Sequence, residues 1–430
     1  MPAVSRFVRA IGWRLEPLLH PDADRQREAL EALATGQRRR LDGLEKLIAR
    51  QGRQIDRLAA AVDGLRDDEL KALGRGLRGV QARVRRELAF SERVLKRVTT
   101  RQQEWRAERA RDRLARLAAG RGDILVGPWT GEVGFELIYW IPFVRWFAGR
   151  YGVDPERFVI LSRGGAEPWY DGLGRRYVDA FDLVGLDALR AGTAAEEQKH
   201  RTLRAFDRDL IRRARAGLTG AARVLHPALL HHLLTPFWRR EAGTEWATGF
   251  GAYRRYNPPP EPPGAPLPSR FTAVRFYFSR AFPDTASNRT FVRRTVEALA
   301  AQGDVVLIAP RVLVDDHRDA IVPESARVRV VTDLPPARNL ALQTAIIARA
   351  RLFVGTYGGF AYLAPLYGVP SVTFYSDRTF YRHHLLLAAE IAERVGGGAL
   401  AALDVADVAR LREMLSPAAE PAGAGLAGEP

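Results

Sequence analysis

The 430-residue chain has no cysteine. Disulfides, thiolate metal sites and cysteine nucleophiles are therefore excluded, and a reducing compartment suits the composition. No run approaches the roughly 18 apolar residues of a membrane span. Proline is absent between Pro21 and Pro128, so a long helix or helical hairpin is permitted throughout that stretch. Neither a Walker phosphate loop nor a G-x-S-x-G nucleophile turn occurs, which removes two common catalytic signatures. What is present is apolar and basic. The hydrophobic share is 47% with 8 Trp, a globular composition, and the formal net charge is +16. That charge is uneven: residues 1–120 hold 28 Lys and Arg against 17 Asp and Glu. A basic helical arm of this kind meets nucleic acid, anionic lipid or an acidic partner, or is simply a solvated face. Nucleic acid ranks last, because the arm mixes acids among its arginines and lacks interleaved aromatics.

The length exceeds one ordinary core and points to two domains plus extras. Residues 1–19, "MPAVSRFVRAIGWRLEPLL", are interrupted by arginine and lack a small-residue cleavage site, which argues against a signal peptide. Phe7, Trp13 and Leu19 among those arginines leave two readings open, an amphipathic helix at a membrane surface and a plain helical lead-in. From Leu41 apolar residues step in threes and fours through Leu44, Ile48, a polar layer at Gln51, then Ile55, Leu58, Val62 and Leu65. The pattern resumes at Leu70, Leu73, Leu77, Val80 and Val84, and continues weakly through Leu88, Leu95 and Val98 to Trp105. Residues 20–118 thus read as a self-associating coiled coil, most simply a dimer, with Gly74, Gly76 and Gly79 marking a local weakness or break.

Beyond 120 the period changes. Short apolar runs ("DILVG", "FVILSR") alternate with helical stretches, including one from about Glu132, a polar helix over 196–217 and an apolar helix over 221–238. Residues 257–269, "NPPPEPPGAPLPS", carry seven prolines and read as a stiff linker. The alternation then restarts: "FTAVRFYFS" as a strand, a helix over 289–302, the strands "DVVLIAP" and "VRVVTD", a helix over 339–350, "LFVG", a helix over 360–367, "PSVTFYS", and a last helix over 405–415. The expected fold class is α/β, two Rossmann-like domains at 122–256 and 271–413 joined by a linker at 257–270, preceded by the N-terminal coiled coil and followed by a disordered tail at 416–430. Ligands of such sheets sit beyond the carboxyl ends of the strands, so the cleft between the domains is the expected site.

Three constellations carry chemistry. The first is "GPWTGEVGFELIYWIP" after the strand "DILV". Its glycine spacing is not that of a dinucleotide loop, but it allows a tight turn and close backbone approach to a substrate. Glu132 falls in a helix's first turn, where the dipole favours a carboxylate. Glu136 lies one turn on and on the same face; inside so apolar a helix it needs a task or a partner such as Arg145. The second is "AVRFYFSRAFPDTASNRTF", with Arg275 in a buried-looking strand and Arg280 at its end; two guanidiniums ahead of a helix can cradle an anion. The third runs from "DLPPARNL" to "FYSD". In it Thr356, Tyr357, Gly358 and Gly359 stand between a strand end and a helix start, a place that favours phosphate; Tyr357 can stack on a base or sugar. The adjacent histidines His231–His232 and His383–His384 point in different directions on a helix and lack metal-ligand spacing, and Asp315-Asp316-His317 reads as a loop or helix cap.

The block from Leu352 to Tyr375, a "helix, VG-x-x-x-G, helix, GVP, strand" passage, resembles the nucleotide-sugar half of GT-B glycosyltransferases, especially their heptosyltransferase-like and fucosyltransferase-like branches. The loop after the first strand resembles that of heptosyltransferases, in which a Gly-Asp pair opens the first helix and its acid is a candidate general base. Gly131-Glu132 is the matching pair, with Glu in place of Asp. The turn "TYGGF" lacks the acid and the His found near that position in the family. The resemblance spans about 122–413 in architecture and these loops in motif. It implies a glycosyltransferase that moves a sugar from a nucleotide-sugar donor to a cell-surface glycan or a lipid-linked precursor, in the cytoplasm or at the inner face of the membrane. Glu132 would act as catalytic base, with Gly131, Gly134 and Glu136 shaping the acceptor-side loop. Arg275, Arg280, Thr356, Tyr357, Gly358, Gly359, Phe360 and Asp377 would hold the donor. No cofactor and no metal is implied, since arginines and helix N-termini supply the positive field. The alternative is a non-catalytic coiled-coil scaffold whose degenerate glycosyltransferase-like body binds a nucleotide or glycan.

Overall fold

The structure is a computed structural model that describes residues 42–43, 45–54, 57, 67–194, 200–218, 220, 222–260, 267–312, 317–377 and 382–415. Outside them lie the lead-in helix at 1–19, the seam positions Leu41, Leu44, Ile55, Leu58, Val62 and Leu65, the linker core 261–266, Asp315 and Asp316, and the tail at 416–430. By its contacts the chain divides into two compact units, residues 1–108 and 109–430.

In the first unit the described chain is helical. Helix α1 spans Asp67–Ala119. It passes through Gly74, Gly76 and Gly79 without the break that these residues allow. Glycine costs a helix about 1 kcal/mol each, and the alanine, leucine and arginine around them offset that. Val80 and Phe90 are exposed, and Leu77, Val84 and Leu88 partly so.

The second unit holds two parallel sheets. In the first, strands β1 (Ile124–Val126), β2 (Phe158–Ser162), β3 (Arg176–Asp179) and β4 (Arg223–Leu225) lie in the order β3-β2-β1-β4. In the second, β5 (Phe271–Arg275), β7 (Asp304–Ile308), β9 (Val328–Val331), β10 (Leu352–Thr356), β11 (Ser371–Tyr375) and β12 (Leu400–Asp404) lie in the order β12-β11-β10-β5-β7-β9. All of these pairings are parallel. Counted from each sheet's own first strand, the orders are 3-2-1-4 and 3-2-1-4-5-6, the Rossmann arrangement. Two Rossmann-like α/β domains are therefore present. The central strands are buried on both faces and are for that reason the unbroken apolar runs read from the sequence. The end of α1 packs here through Ala110, Leu114 and Leu117. Arg157 closes that helix, donating to the carbonyls of Leu117, Ala118 and Gly122 at 3.1–3.3 Å.

Three expected elements differ. "FTAVRFYFS" is not one strand: β5 stops at Arg275, and β6 (Tyr277–Phe278) pairs antiparallel with β8 (Arg318–Asp319). The cause is Thr356, whose hydroxyl accepts the Tyr277 N–H at 3.0 Å and donates to the Tyr277 carbonyl at 2.9 Å. That side chain replaces the ladder that would have carried the strand on. The apolar stretch 221–238 is β4 followed by two short helices, because pairing with β1 outweighs local helix preference and Pro227 and Pro236 interrupt it. The polar helix is shorter than 196–217. It spans Ala205–Ala216, opened by Asp207, whose carboxylate accepts the Arg204 N–H at 2.9 Å.

Candidate active site

The switch point of a Rossmann sheet lies between its first and fourth strands. In the first sheet this is the mouth of β1 and β4, filled by the loop 127–135. In the second it is the mouth of β5 and β10, filled by the β5–β6 turn and by Tyr357-Gly358-Gly359. All three sequence constellations therefore fall at a switch point.

The first loop descends from β1 onto helix α2 (Val133–Phe135), continues as a π-helical turn over Glu136–Trp140 and ends as α3 (Ile141–Tyr151). Pro142 explains the π turn: it lacks an N–H and its ring would strike the carbonyl four residues back, so the wider turn ahead of it relieves both. Glu132 stands at the N-cap of α2, extended at φ −68° and ψ 145°, and not within the first turn. Its side chain makes no capping hydrogen bond and is exposed. Its carbonyl accepts the indole N–H of Trp129 at 3.3 Å, and Trp129 stacks on His200 at 4.3 Å.

Glu136 does not share that environment. It is fully buried and faces the end of β2. Its carboxylate accepts from the Ser162 hydroxyl at 2.5 Å, the Tyr170 hydroxyl at 2.8 Å and the Arg163 guanidinium at 3.1 Å. Burial pushes its pKa up, and the Arg163 charge with these hydrogen bonds opposes the rise. Arg145 is not its partner; it donates instead to the carbonyls of Trp169 and Asp171.

At the mouth of the second sheet Arg275 and Arg280 do not form a pair. Arg275 is 8% exposed; its guanidinium lies 4.2 Å over the Phe360 ring, and its Nη2 is 3.6 Å from Asp319. Arg280 is exposed in the turn after β6, beyond the strand end where the sequence placed it. The same turn reaches Asp377, since the carbonyl of Ala281 accepts the N–H groups of Ser376 and Asp377 at 2.9 and 3.1 Å. Thr356 is buried and engaged by Tyr277 through its hydroxyl. The Tyr277 hydroxyl donates to the Tyr357 carbonyl at 3.3 Å and closes over Gly358, which lies at φ 153° with no room for a Cβ. Tyr277 was not singled out from the sequence, nor was Tyr362, which donates to the Tyr357 hydroxyl at 2.7 Å.

The two glycine-rich turns meet. Gly359 is the first residue of helix α4 (Gly359–Leu366), and a Cβ on it would lie 2.6 Å from the Gly134 nitrogen. A Cβ on Gly134 would lie 3.2 Å from both Gly359 and the Tyr362 ring. Glu132 is close enough to act on Tyr357. Burial first, with the Glu132 carboxylate adding and the Tyr362 hydrogen bond opposing, holds the Tyr357 phenol up at about 12. Elsewhere along the seam Trp169 donates to Thr344 at 3.0 Å, Leu340 N–H donates to Gly164 at 2.7 Å, and the Tyr139 hydroxyl bonds His384 Nδ1. Of the sequence's candidates, Gly134 thus stands against Gly359 and Glu132 acts on Tyr357, while Gly131 lies against His200 and Trp129. Arg275 reaches this group through Phe360, and Arg280 and Asp377 sit on the neighbouring turn. Glu136 is set apart beneath the loop.

No protein-family model matches the chain, and no curated protein matches it in sequence. Among solved structures it is similar to the iron-containing dodecameric glycosyltransferase TibC of enterotoxigenic E. coli H10407, at 12% identity and a TM-score of 0.35, covering 59% of each chain. It is similar to a glycosyl transferase family 9 protein of Veillonella parvula DSM 2008, at 11% identity and a TM-score of 0.38, covering 69% of this chain and 90% of that one. It is also similar to E. coli heptosyltransferase WaaC with ADP, at 12% identity and a TM-score of 0.32, covering 68% and 99%. The match thus spans under two thirds of the length of TibC. The assignment of two Rossmann-like domains stands on the strand orders themselves.

Proposed function

We propose that the chain is a GT-B-type glycosyltransferase that moves a sugar from a nucleotide-sugar donor to a cell-surface glycan or a lipid-linked precursor. One observation carries the reading: two loops at the switch points of two separate Rossmann-like sheets touch, glycine against glycine, with an exposed carboxylate on one and a tyrosine on the other. In the proposed reaction Glu132 takes the proton of the acceptor hydroxyl. The freed oxygen bonds to the sugar's anomeric carbon, and the bond from that carbon to the nucleoside diphosphate breaks. Arg275 and Arg280, with the first turn of α4, would offset charge growing on the departing diphosphate. Tyr357 would stand against the base or sugar and Asp377 against the sugar or ribose. A lipid-linked acceptor would place the enzyme in the cytoplasm, at the inner face of the membrane; among the described residues no helix is long and apolar enough to cross one.

A second reading, a binding scaffold without catalysis, is favoured by the sequence of the second turn, "TYGGF", which lacks the acid and the His found near that position in the family it resembles. Calorimetry of the full chain with UDP, GDP, dTDP and ADP, followed by assay of the matching sugar donors, separates the two. Binding with sugar release supports the transferase, binding with no turnover on any acceptor supports the scaffold, and no binding contradicts the transferase and any nucleotide-binding scaffold. Self-association belongs to the same proposal. The heptad residues Leu77, Val84 and Leu88 are partly exposed on α1, and a second copy would cover them. Sedimentation of the full chain is expected to give a dimer that Leu88→Glu splits; a monomer at high concentration would refute it.

A further inference from the structure

We propose that Arg163 is a positioning residue that holds the turn bearing Glu132. Arg163 comes directly after β2 and is 5% exposed. Its guanidinium spans two acceptors: Nη1 donates to Glu136 Oε2 at 3.1 Å, and Nη2 donates to the carbonyl of Gly131. That carbonyl belongs to the peptide joining Gly131 to Glu132, so whatever fixes it sets the direction in which Glu132 leaves the backbone. Glu136 is itself immobilised, with Ser162 and Tyr170 donating to its other oxygen. The residue after Arg163 reaches the second sheet's domain, since the Gly164 carbonyl accepts the N–H of Leu340 at 2.7 Å. A single planar fork therefore links the Glu132 turn to a buried carboxylate, one peptide away from the seam between the domains. A guanidinium can serve two acceptors at a fixed angle, whereas an ammonium on a flexible stem cannot. Guanidiniums also satisfy carbonyls for stability alone, as Arg157 does; the proposal rests on which carbonyl Arg163 holds, the one in the peptide that carries Glu132.

The test needs no knowledge of the substrate. The indole of Trp129 donates to the Glu132 carbonyl and so reports on the turn, while Trp246, bonded to the Leu233 carbonyl, serves as a remote control. The full chain, labelled with 5-fluorotryptophan at its 8 Trp positions, is compared with Arg163→Lys by 19F NMR, the two resonances being assigned from Trp129→Phe and Trp246→Phe. A folded Arg163→Lys protein is expected to shift or split the Trp129 resonance and leave that of Trp246 in place. An unmoved Trp129 resonance overturns the proposal, and so does an equal movement of both, which marks a general loosening. Should Arg163→Lys not fold, Tyr170→Phe carries the same comparison, with the same outcomes, by loosening Glu136 at constant volume. A kinetic arm rests on the reading of Glu132 as base: with UDP-, GDP-, dTDP- and ADP-sugars, kcat is expected to fall about 10–100-fold with KM little changed. A displaced Trp129 with unaltered kcat would support the positioning role and count against Glu132 as the base.

Discussion

Glu136 is an acid enclosed on all sides by donors. Three groups point hydrogens at its two oxygens, and the nearest charge is the buried Arg163. Glu136→Leu would leave that guanidinium buried without its carboxylate, an error that costs about 3–5 kcal/mol. Glu136→Gln should cost less, because the amide oxygen still accepts. Denaturant unfolding of the two variants checks the order; equal losses would mean that the retained acceptor oxygen contributes nothing and that the lost charge accounts for the whole effect. The need for a partner was legible in the sequence, as a lone acid in "FELIYWIPFVRWF". The partner was not, since Arg163 lies beyond a strand that returns it to the same end of the sheet. Arg145, closer in sequence, is drawn to the carbonyls of Trp169 and Asp171. Glu132 was singled out because an acid at the start of a helix is favoured by the dipole, though its place at the N-cap and not in the first turn depends on where α2 begins.

At the scale of elements, the beginnings of α2 and α4 meet at two glycines, Gly134 and Gly359, with the Val133 side chain beside them. Gly359→Ala would put a methyl group 2.6 Å from the Gly134 nitrogen and close to Val133. Backbone cannot yield as a side chain can, so a loss of about 1–3 kcal/mol is expected, read as a lower melting temperature together with weaker nucleoside diphosphate binding. Unchanged melting would show that the two turns separate freely. In the sequence these glycines read as a turn for a ligand's phosphate, yet their immediate use is backbone contact between domains. Central strands were legible because burial on both faces makes them continuous apolar runs. β3 and β12 were not: each closes the edge of its sheet, half-exposed along its length, with "RYVD" and "LAALD" carrying no such signal. The split of β5 from β6 was hidden for another reason, since it depends on the Thr356 hydroxyl, a contact 79 residues away.

At the scale of the whole molecule, the seam carries an acid-sensitive group. Burial, with His383 and Arg240 adding to it, lowers His384 to about 3, and burial with nearby Arg201, His232 and His226 lowers His231 to about 4. Both lie below the ordinary histidine value of about 6.5. Between that value and these, the unfolded chain takes up protons that the folded chain does not, so stability falls as pH drops from about 6.5 towards 4. The slope is at most about 1.4 kcal/mol per pH unit for each histidine. Glu136 and Asp179 act in the opposite sense, because burial raises their pKa and the folded chain then holds protons at a pH where the unfolded one has lost them. The part owed to these two histidines is therefore the difference between the wild type and a His231→Gln/His384→Gln variant, since His200 and His383, lowered as well, are common to both. Melting curves from pH 7 to 4 should be steeper for the wild type, and parallel curves would contradict the assignment.

Sugar transfer with Glu132 taking the acceptor's proton stands or falls on Glu132→Gln, assayed with the nucleotide sugar found to bind. A folded protein is expected that binds the donor as the wild type does and turns over about 10²–10⁴-fold more slowly. Near-normal turnover in that folded variant would remove Glu132 from the reaction.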